Sequence, residues 1–523
     1  MNMDETLYTN ATVLTMDAEN PRVSSVYVAD GKVVAIGEDA SRHAAGGRKH
    51  EVLDLHGATL IPGFHDNHIH VVHMGDQENR VRLVGLDTPE IIAALREFYG
   101  DQRPNEWVYG SMWDYTSCPH PHRRFLDEAY PDTPVLLTQF SGHAAWLNSR
   151  ALEFFRIDRT TPDWPGGTVV KDPDGEPTGV LREPAAHPRI RKFYFKRLTD
   201  PRFNTTALRA ALAALRAAGV TSVQDNTWLP QTLAAIRRMH AAGELTCRLS
   251  CWSYGESFVM NELFRMKKFN SEWYRRGPVK FFADGAFSSR SAWLIEPYAD
   301  ENGNSGSGKS ATQIAKKIKP HLRLGRSCAI HAIGDRAVRE ICDAAEMLTQ
   351  KGIRVRRSVR VEHAQLISPS DIARIRDLGL LISAQPAALT DPDKDIGLLG
   401  TERARSAYPY RSLIDAGVRL SFGSDYPGER VYKPIEIIHM AVNRTSPERI
   451  TADEALRCYT IESAYAEGTD EIKGSITPGK VADFTVLSHD ITSIDPAKIR
   501  DTEVLYTVVG GKVVYARELN VTR

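Results

Sequence analysis

Eight short apolar runs, each closing on polar or small residues, recur between positions 59 and 425 of this 523-residue chain and constrain its fold more than any other feature. They are TLIPGFHDNHIH (59–70), GVTSVQDN (219–226), CRLSCWSY (247–254), VKFFADG (279–285), SCAIHAIGD (327–335), VRVEHAQ (359–365), LLISAQP (380–386) and VRLSFGSD (418–425). Runs this short and this apolar read as strands buried on both faces. Stretches such as TALRAALAALRAAG, ATQIAKKIKPHLRLG and DRAVREICDAAEMLTQKG lie between most of them, with apolar residues at helical spacing. The alternation predicts an α/β fold, a (β/α)8 barrel of TIM type. The step from 70 to 219 is too long for one βα unit, so the first loop is expected to carry an insertion of mixed structure at about 76–205.

Both ends of the chain have a different texture. LYTNATVLTMD, SSVYVADGKVVAIGE and EVLDLHGATLI near the start, and ADFTVLSHD and EVLYTVVGGKVVYARE near the end, read as short strands joined by turns such as Asp30-Gly31 and Gly510-Gly511. A Gly-Lys-Val-Val string even occurs twice, at Gly31–Val34 and Gly511–Val514. Each end alone is too small to bury a sheet face well. The two are therefore expected to pair into one small composite β-sandwich, residues 1–58 with 471–523, around a barrel spanning 59–470.

Composition narrows the function. Sixty-six basic residues balance 66 acidic ones, which leaves no long-range field to hold nucleic acid or an anionic membrane. Mean hydropathy is −0.34, and no apolar run approaches the roughly 18 residues of a membrane span. The opening MNMDETLYTNATV has neither the basic nor the apolar region of a secretory signal, and six cysteines are too sparse for a disulfide framework. A reducing cytoplasm is the expected compartment, a small molecule the expected partner, and assembly as a homodimer is left open.

Barrel enzymes place their chemistry where strands end at the C-terminal rim. The first run ends in His68-Ile69-His70, whose alternation sends both imidazoles to one side, within reach of one metal ion. The fourth carries Lys280, the fifth His331, the sixth His363 and the eighth Asp425. A lone histidine is usually a satisfied structural residue, and that is the default reading for the other thirteen of the 17 histidines. Ligand-type residues on five separate strand ends are a pattern that packing alone does not produce.

These motifs, PGFHDNHIH, VKFFADG, HAIGD, VEHAQ and FGSDYP, resemble the ordered series of the amidohydrolase superfamily. The closer likeness is to the branch containing N-substituted formamide deformylases, and WVYGSMWD, SGHAAWLNSRAL, GVLRE and GSITPGKVADFTVL extend it over nearly the whole chain. The resemblance implies a barrel flanked by a composite β-sandwich and an active site with divalent metal, zinc above all and two ions per chain. It implies His68, His70, His331, His363 and Asp425 as ligands, and Lys280 as a lysine that carries CO2 as a bridging carbamate. The bland alternative for Lys280 is an ordinary ion pair with Asp284.

The expected reaction is hydrolysis of a non-peptide amide-type C–N bond by metal-activated water, with Asp425 as general base and then acid. His331 or His143 is expected to face the oxyanion. The competing reading is a mononuclear nucleobase-type deaminase on the same barrel, and a third is a scaffold on a dead barrel. Trp228, Trp252 and Trp293, near the strand ends, and Trp113, Trp146 and Trp164, in the insertion, would give an indole-rich rim for an apolar or aromatic group. Trp113, His143, Trp228, Trp252 and Trp293 are the expected substrate contacts. Gly303–Ser310 fits the G-x-x-x-x-G-K-S phosphate-loop pattern, but no strand precedes it, so a plain loop is expected.

Overall fold

The computed structural model describes residues 5–46, 49–101, 106–139, 144–164, 167–184, 187–226, 229–255, 269–390 and 392–517, the side chains of 392–394 excepted. The chain divides into two units, Met1–Val71 with Leu212–Arg523, and Val72–Ala211.

The first unit contains the barrel. Its eight parallel strands run in chain order around the ring: Phe64–Ile69, Val220–Asp225, Arg248–Tyr254, Tyr274–Phe282, Cys328–Ala332, Val359–His363, Leu381–Ala384 and Leu420–Phe422. Beyond the last strand, Asp425 N–H donates to His68 C=O at 2.6 Å and His70 N–H donates to Tyr426 C=O at 3.0 Å, which brings the eighth strand's end onto the first. Helices follow the strands as their periodicity requires. In Asp335–Thr349, for example, Ala337, Val338, Ile341, Cys342, Ala344, Ala345 and Leu348 form the buried stripe.

The same unit carries the composite sandwich. One sheet is wholly N-terminal, and the other joins Thr12–Leu14, Arg22–Val23 and Thr59–Pro62 to Phe484–Leu487, Val504–Val509 and Lys512–Ala516. The seam is antiparallel, with Phe484 opposite Pro62 and Leu487 opposite Thr59. Val13, Val26, Val28, Leu60, Phe484, Val486 and Val508 share its core, so neither end could bury its face without the other. The run 59–70, read as one barrel strand, is in fact two: Thr59–Pro62 belongs to the sandwich and Phe64–Ile69 to the barrel. The break falls at Gly63, where a Cβ would stand 2.1 Å from Thr221 Oγ1, so only glycine lets the chain pass there.

The second unit is built on a six-stranded mixed sheet over a core that includes Leu83, Ile91, Leu95, Tyr130, Leu137, Trp113 and Trp146. All six cysteines are buried and free. Among the described residues, no helix is long and apolar enough to cross a membrane.

Candidate metal centre

Asp425 lies just past the eighth strand and is the point on which the predicted ligands converge. Its Oδ1 is 3.2 Å from His70 Nε2 and 3.5 Å from His68 Nε2, and its Oδ2 is 3.8 Å from His363 Nδ1. His68, His363 and Asp425 each offer a ligand atom within 4.8 Å of the others. His331 stands against them, its ring centroid 4.5 Å from that of His363. Two of these residues have backbone angles that side chains rarely adopt, with φ +71° at His363 and +53° at Asp425. Such strain persists only where surrounding structure enforces it, and it concentrates at functional sites.

Two hydrogen bonds select which ring nitrogen faces the centre. Glu362 Oε2 is 2.7 Å from His68 Nδ1, so that nitrogen carries the proton and Nε2 presents its lone pair towards Asp425. His331 Nε2 lies 2.9 Å from Gly285 C=O, which accepts its proton and leaves Nδ1 bare. Burial, followed by the Lys280 charge, pushes His331 down to about 4. Burial, His331 and Lys280 hold His363 well below the usual imidazole range, and burial and Lys280 lower His68. Burial would raise Asp425, but His68, His70 and His363 around it hold its carboxyl well below the usual range. Neutral imidazoles beside an ionised carboxylate form the nitrogen and oxygen donor set that a divalent cation of zinc type takes. The residues therefore fit such an ion.

Lys280 is 1% exposed, on the barrel-facing side of the fourth strand, with Nζ 5.1 Å from the centroid of the Phe282 ring and 5.8 Å from that of Trp252. Burial pulls its pKa down to about 8, against the pull of Glu362 and Asp425. Asp284 does not pair with it. The Asp284 carboxylate instead accepts from the backbone N–H groups of Trp293, Ile333 and Gly334 at 2.9–3.0 Å, tying the loops after the fourth and fifth strands together beside His331. The anchor at Asp284 was not anticipated among the site residues, and neither was Glu362. The signal for Glu362 was alternation, which puts Arg360 and Glu362 on one face of a strand too apolar to expose them.

Among the described indoles, Trp113 is not available as a substrate contact. Trp113 is fully buried in the second unit, edge-on to Trp146 at 6.1 Å, and its Nε1 donates to Leu137 C=O at 3.1 Å. It is a core residue, with no face left for substrate. Trp164 caps Glu183 C=O through Nε1 at 3.1 Å. Trp252 lies buried against the centre, its ring 4.9 Å from that of His68, rather than open to a ligand. Trp293 is half-buried, with the Arg336 guanidinium 5.4 Å from its ring centroid. His143 and Trp228 lie outside the described residues. The Gly303–Ser310 stretch is a packed loop: Ser310 caps the helix Ala311–Arg323, Lys309 N–H is donated to Ala283 C=O, and a Cβ at Gly308 would stand 2.5 Å from the Trp293 ring. No strand leads into it, so nothing there cradles a phosphate.

Comparison with known proteins agrees with this geometry. The sequence model described as "Amidohydrolase family" matches residues 51–515. The YtcJ protein of Bacillus subtilis (strain 168) is 31% identical, with 97% of this chain and 98% of that protein aligned. An N-substituted formamide deformylase from Arthrobacter pascens is 30% identical over 98% of this chain and 99% of its own length. Among solved structures, an uncharacterized metal-dependent hydrolase from Pyrococcus furiosus superimposes with a TM-score of 0.78 at 28% identity, covering 94% of this chain and 100% of that one.

Proposed function

Because the chain belongs to the amidohydrolase family, we propose that it cleaves the C–N bond of a small non-peptide amide at a centre of two zinc ions, with N-substituted formamides as the first substrates to try. The observation that carries this reading is the meeting of His68, His363 and Asp425, from three different strand ends, within 4.8 Å of one another. The substrate class rests on the Arthrobacter pascens relative. His68, His70, His331, His363 and Asp425 would hold the ions. Lys280 would complete the set once its amine and CO2 have combined into a carbamate, with release of one proton. The bound ions supply Lewis acidity, polarising the amide carbonyl and making water a nucleophile near neutral pH.

The protein's own groups do the rest. Asp425 takes the proton of the attacking water at a carboxylate oxygen and returns it to the leaving nitrogen, which an amine needs in order to depart. Its carboxyl is held in the ionised, accepting form beside His70, which hydrogen-bonds to it. His331 has already donated its Nε2 proton to Gly285 C=O, so its role is ligation rather than oxyanion donation. Glu362 keeps His68 in the tautomer that ligates.

The test is a panel of formamides, acylated amines, cyclic imides and aryl esters offered to zinc-loaded protein. Amide hydrolysis is expected, with Asp425→Asn lowering kcat by about 10²–10⁴-fold while the fold is retained. An Asp425→Asn variant near wild-type kcat would overturn the assignment of the base. Ammonia release from nucleobases with no amide cleavage would replace the proposal with the mononuclear deaminase reading.

A further inference from the structure

We infer that Arg360 and Glu362 form a positioning pair that selects the ligating nitrogen of His68, an inference that rests on the metal-centre reading above. Arg360, Glu362 and His68 are 3%, 0% and 1% exposed, so bulk solvent reaches none of them. Glu362 divides its two oxygens: Oε2 meets His68 Nδ1 at 2.7 Å, and Oε1 accepts from Arg360 Nε at 2.5 Å. Arg360 is fixed in turn. Its Nη1 donates to Asn67 Oδ1 at 3.0 Å and to Gln224 Oε1 at 2.8 Å, and the Trp252 ring centroid lies 4.7 Å from its Cζ. Asn67 Nδ2 donates onward to Ser421 Oγ at 2.5 Å. The network therefore crosses the barrel interior through the first, second, sixth and eighth strands.

The physical consequence follows from what each group can do. A carboxylate only accepts, so His68 must protonate Nδ1 and expose the Nε2 lone pair. A buried carboxylate without a partner is costly, which is why Arg360 accompanies it. Both oxygens of Glu362 are engaged, one by Arg360 and the other by His68, although the residue directly precedes His363. The left-handed turn at His363, φ +71°, is what lets two consecutive residues of one strand serve the same centre.

The isosteric change Glu362→Gln makes a specific prediction. Arg360 can only donate, so it claims the amide oxygen and turns the amide NH2 towards His68 Nδ1. His68 then accepts at Nδ1, carries its proton on Nε2 and loses its ligating lone pair. Zinc affinity of the full-length protein, measured by competition with a chromophoric chelator, should fall about 10–100-fold. The visible spectrum of the cobalt-loaded protein should change; because Arg360 loses its counter-charge the melting temperature of the metal-free protein should fall as well, so affinity and spectrum are read on protein shown to be folded. Adding Arg360→Met to Glu362→Gln frees the amide to rotate its oxygen onto Nδ1, so part of the lost affinity should return and the cobalt spectrum should move back towards that of the wild type; a merely structural role predicts recovery of the melting temperature with no such return of the spectrum. Glu362→Asp, which draws the carboxylate back by one methylene, should lose part of the affinity and covers the case in which the glutamine variant does not fold. Affinity and cobalt spectra unchanged in both Glu362→Gln and Glu362→Asp would overturn the inference and leave the metal centre standing. A wild-type protein that takes up no zinc or cobalt would overturn both.

Discussion

Gly423 joins the eighth strand to Ser424-Asp425, and replacing it with alanine tests how tightly the fold sets the site. A Cβ built there stands 2.4 Å from the His68 backbone nitrogen and 3.0 Å from both Asp66 Oδ1 and His68 Cβ. Ordinary contact begins at 3.4 Å, so the two segments must part by about 1 Å. The atoms in the way are backbone and a carboxylate that already accepts from Ser424 N–H at 3.0 Å and His68 N–H at 3.1 Å, so neither can swing aside. The displacement therefore passes into the spacing between His68 and Asp425. Misplacement of about 1 Å costs on the order of 10²-fold in turnover, and overfilling a packed site costs about 1–3 kcal/mol of stability. Gly423→Ala should show both losses, with reduced zinc content, when kcat/KM, metal content and urea unfolding are measured together. Gly397→Ala, at a helical position with nothing within 4 Å of the new methyl, is the control and should leave activity unchanged. Gly423→Ala turning over within twofold of wild type, at full metal content, would refute the reasoning.

Two further perturbations address the scaffold. Asp483 holds Arg248 at 2.6 and 2.9 Å and accepts Gly510 N–H at 2.8 Å, joining the C-terminal return of the sandwich to the third barrel strand. Asp483→Leu should cost about 3–5 kcal/mol in urea unfolding by stranding a buried guanidinium, and the double variant with Arg248→Met should recover most of it; a single variant within about 1 kcal/mol of wild type counts against the clamp. Glu467 is buried against Lys473 at 2.8 Å and His65 at 3.4 Å. Although burial opposes it, these neighbours lower its pKa from 4.5 to about 2. A lowered folded-state pKa gives stability that is present above 4.5 and lost as pH falls towards 2, roughly 3 kcal/mol in all. Glu467→Gln should flatten the stability profile across that window, and an unchanged acid limb would exclude the pair as its source.

The barrel was legible because strands buried on both faces leave apolar runs, and the convergence of His68, His363 and Asp425 because each falls at the end of a different run. The sandwich seam was legible from two ends that each lacked a partner. What escaped reading shares one cause, that residue type does not report direction. Trp113 looked like a substrate contact because indoles line sites and cores alike, and only the hydrogen bond to Leu137 C=O settles which. Thr59–Pro62 ran on into Phe64–Ile69 because Gly63 reads as an ordinary small residue until Thr221 is seen beside it. Glu362 was passed over for its neighbour His363, since strand alternation puts only one of two consecutive residues inside unless the backbone turns left-handed.

The proposed cation centre draws on His68, His363 and Asp425, with His70, His331 and Lys280 around them. Its most direct test is zinc bound per chain after dialysis, in wild-type protein and in Asp425→Ala. About two zinc ions per chain in the wild type, sharply reduced in the variant, is the predicted result. Wild-type protein that retains no zinc, or a variant that retains the same amount, would contradict it.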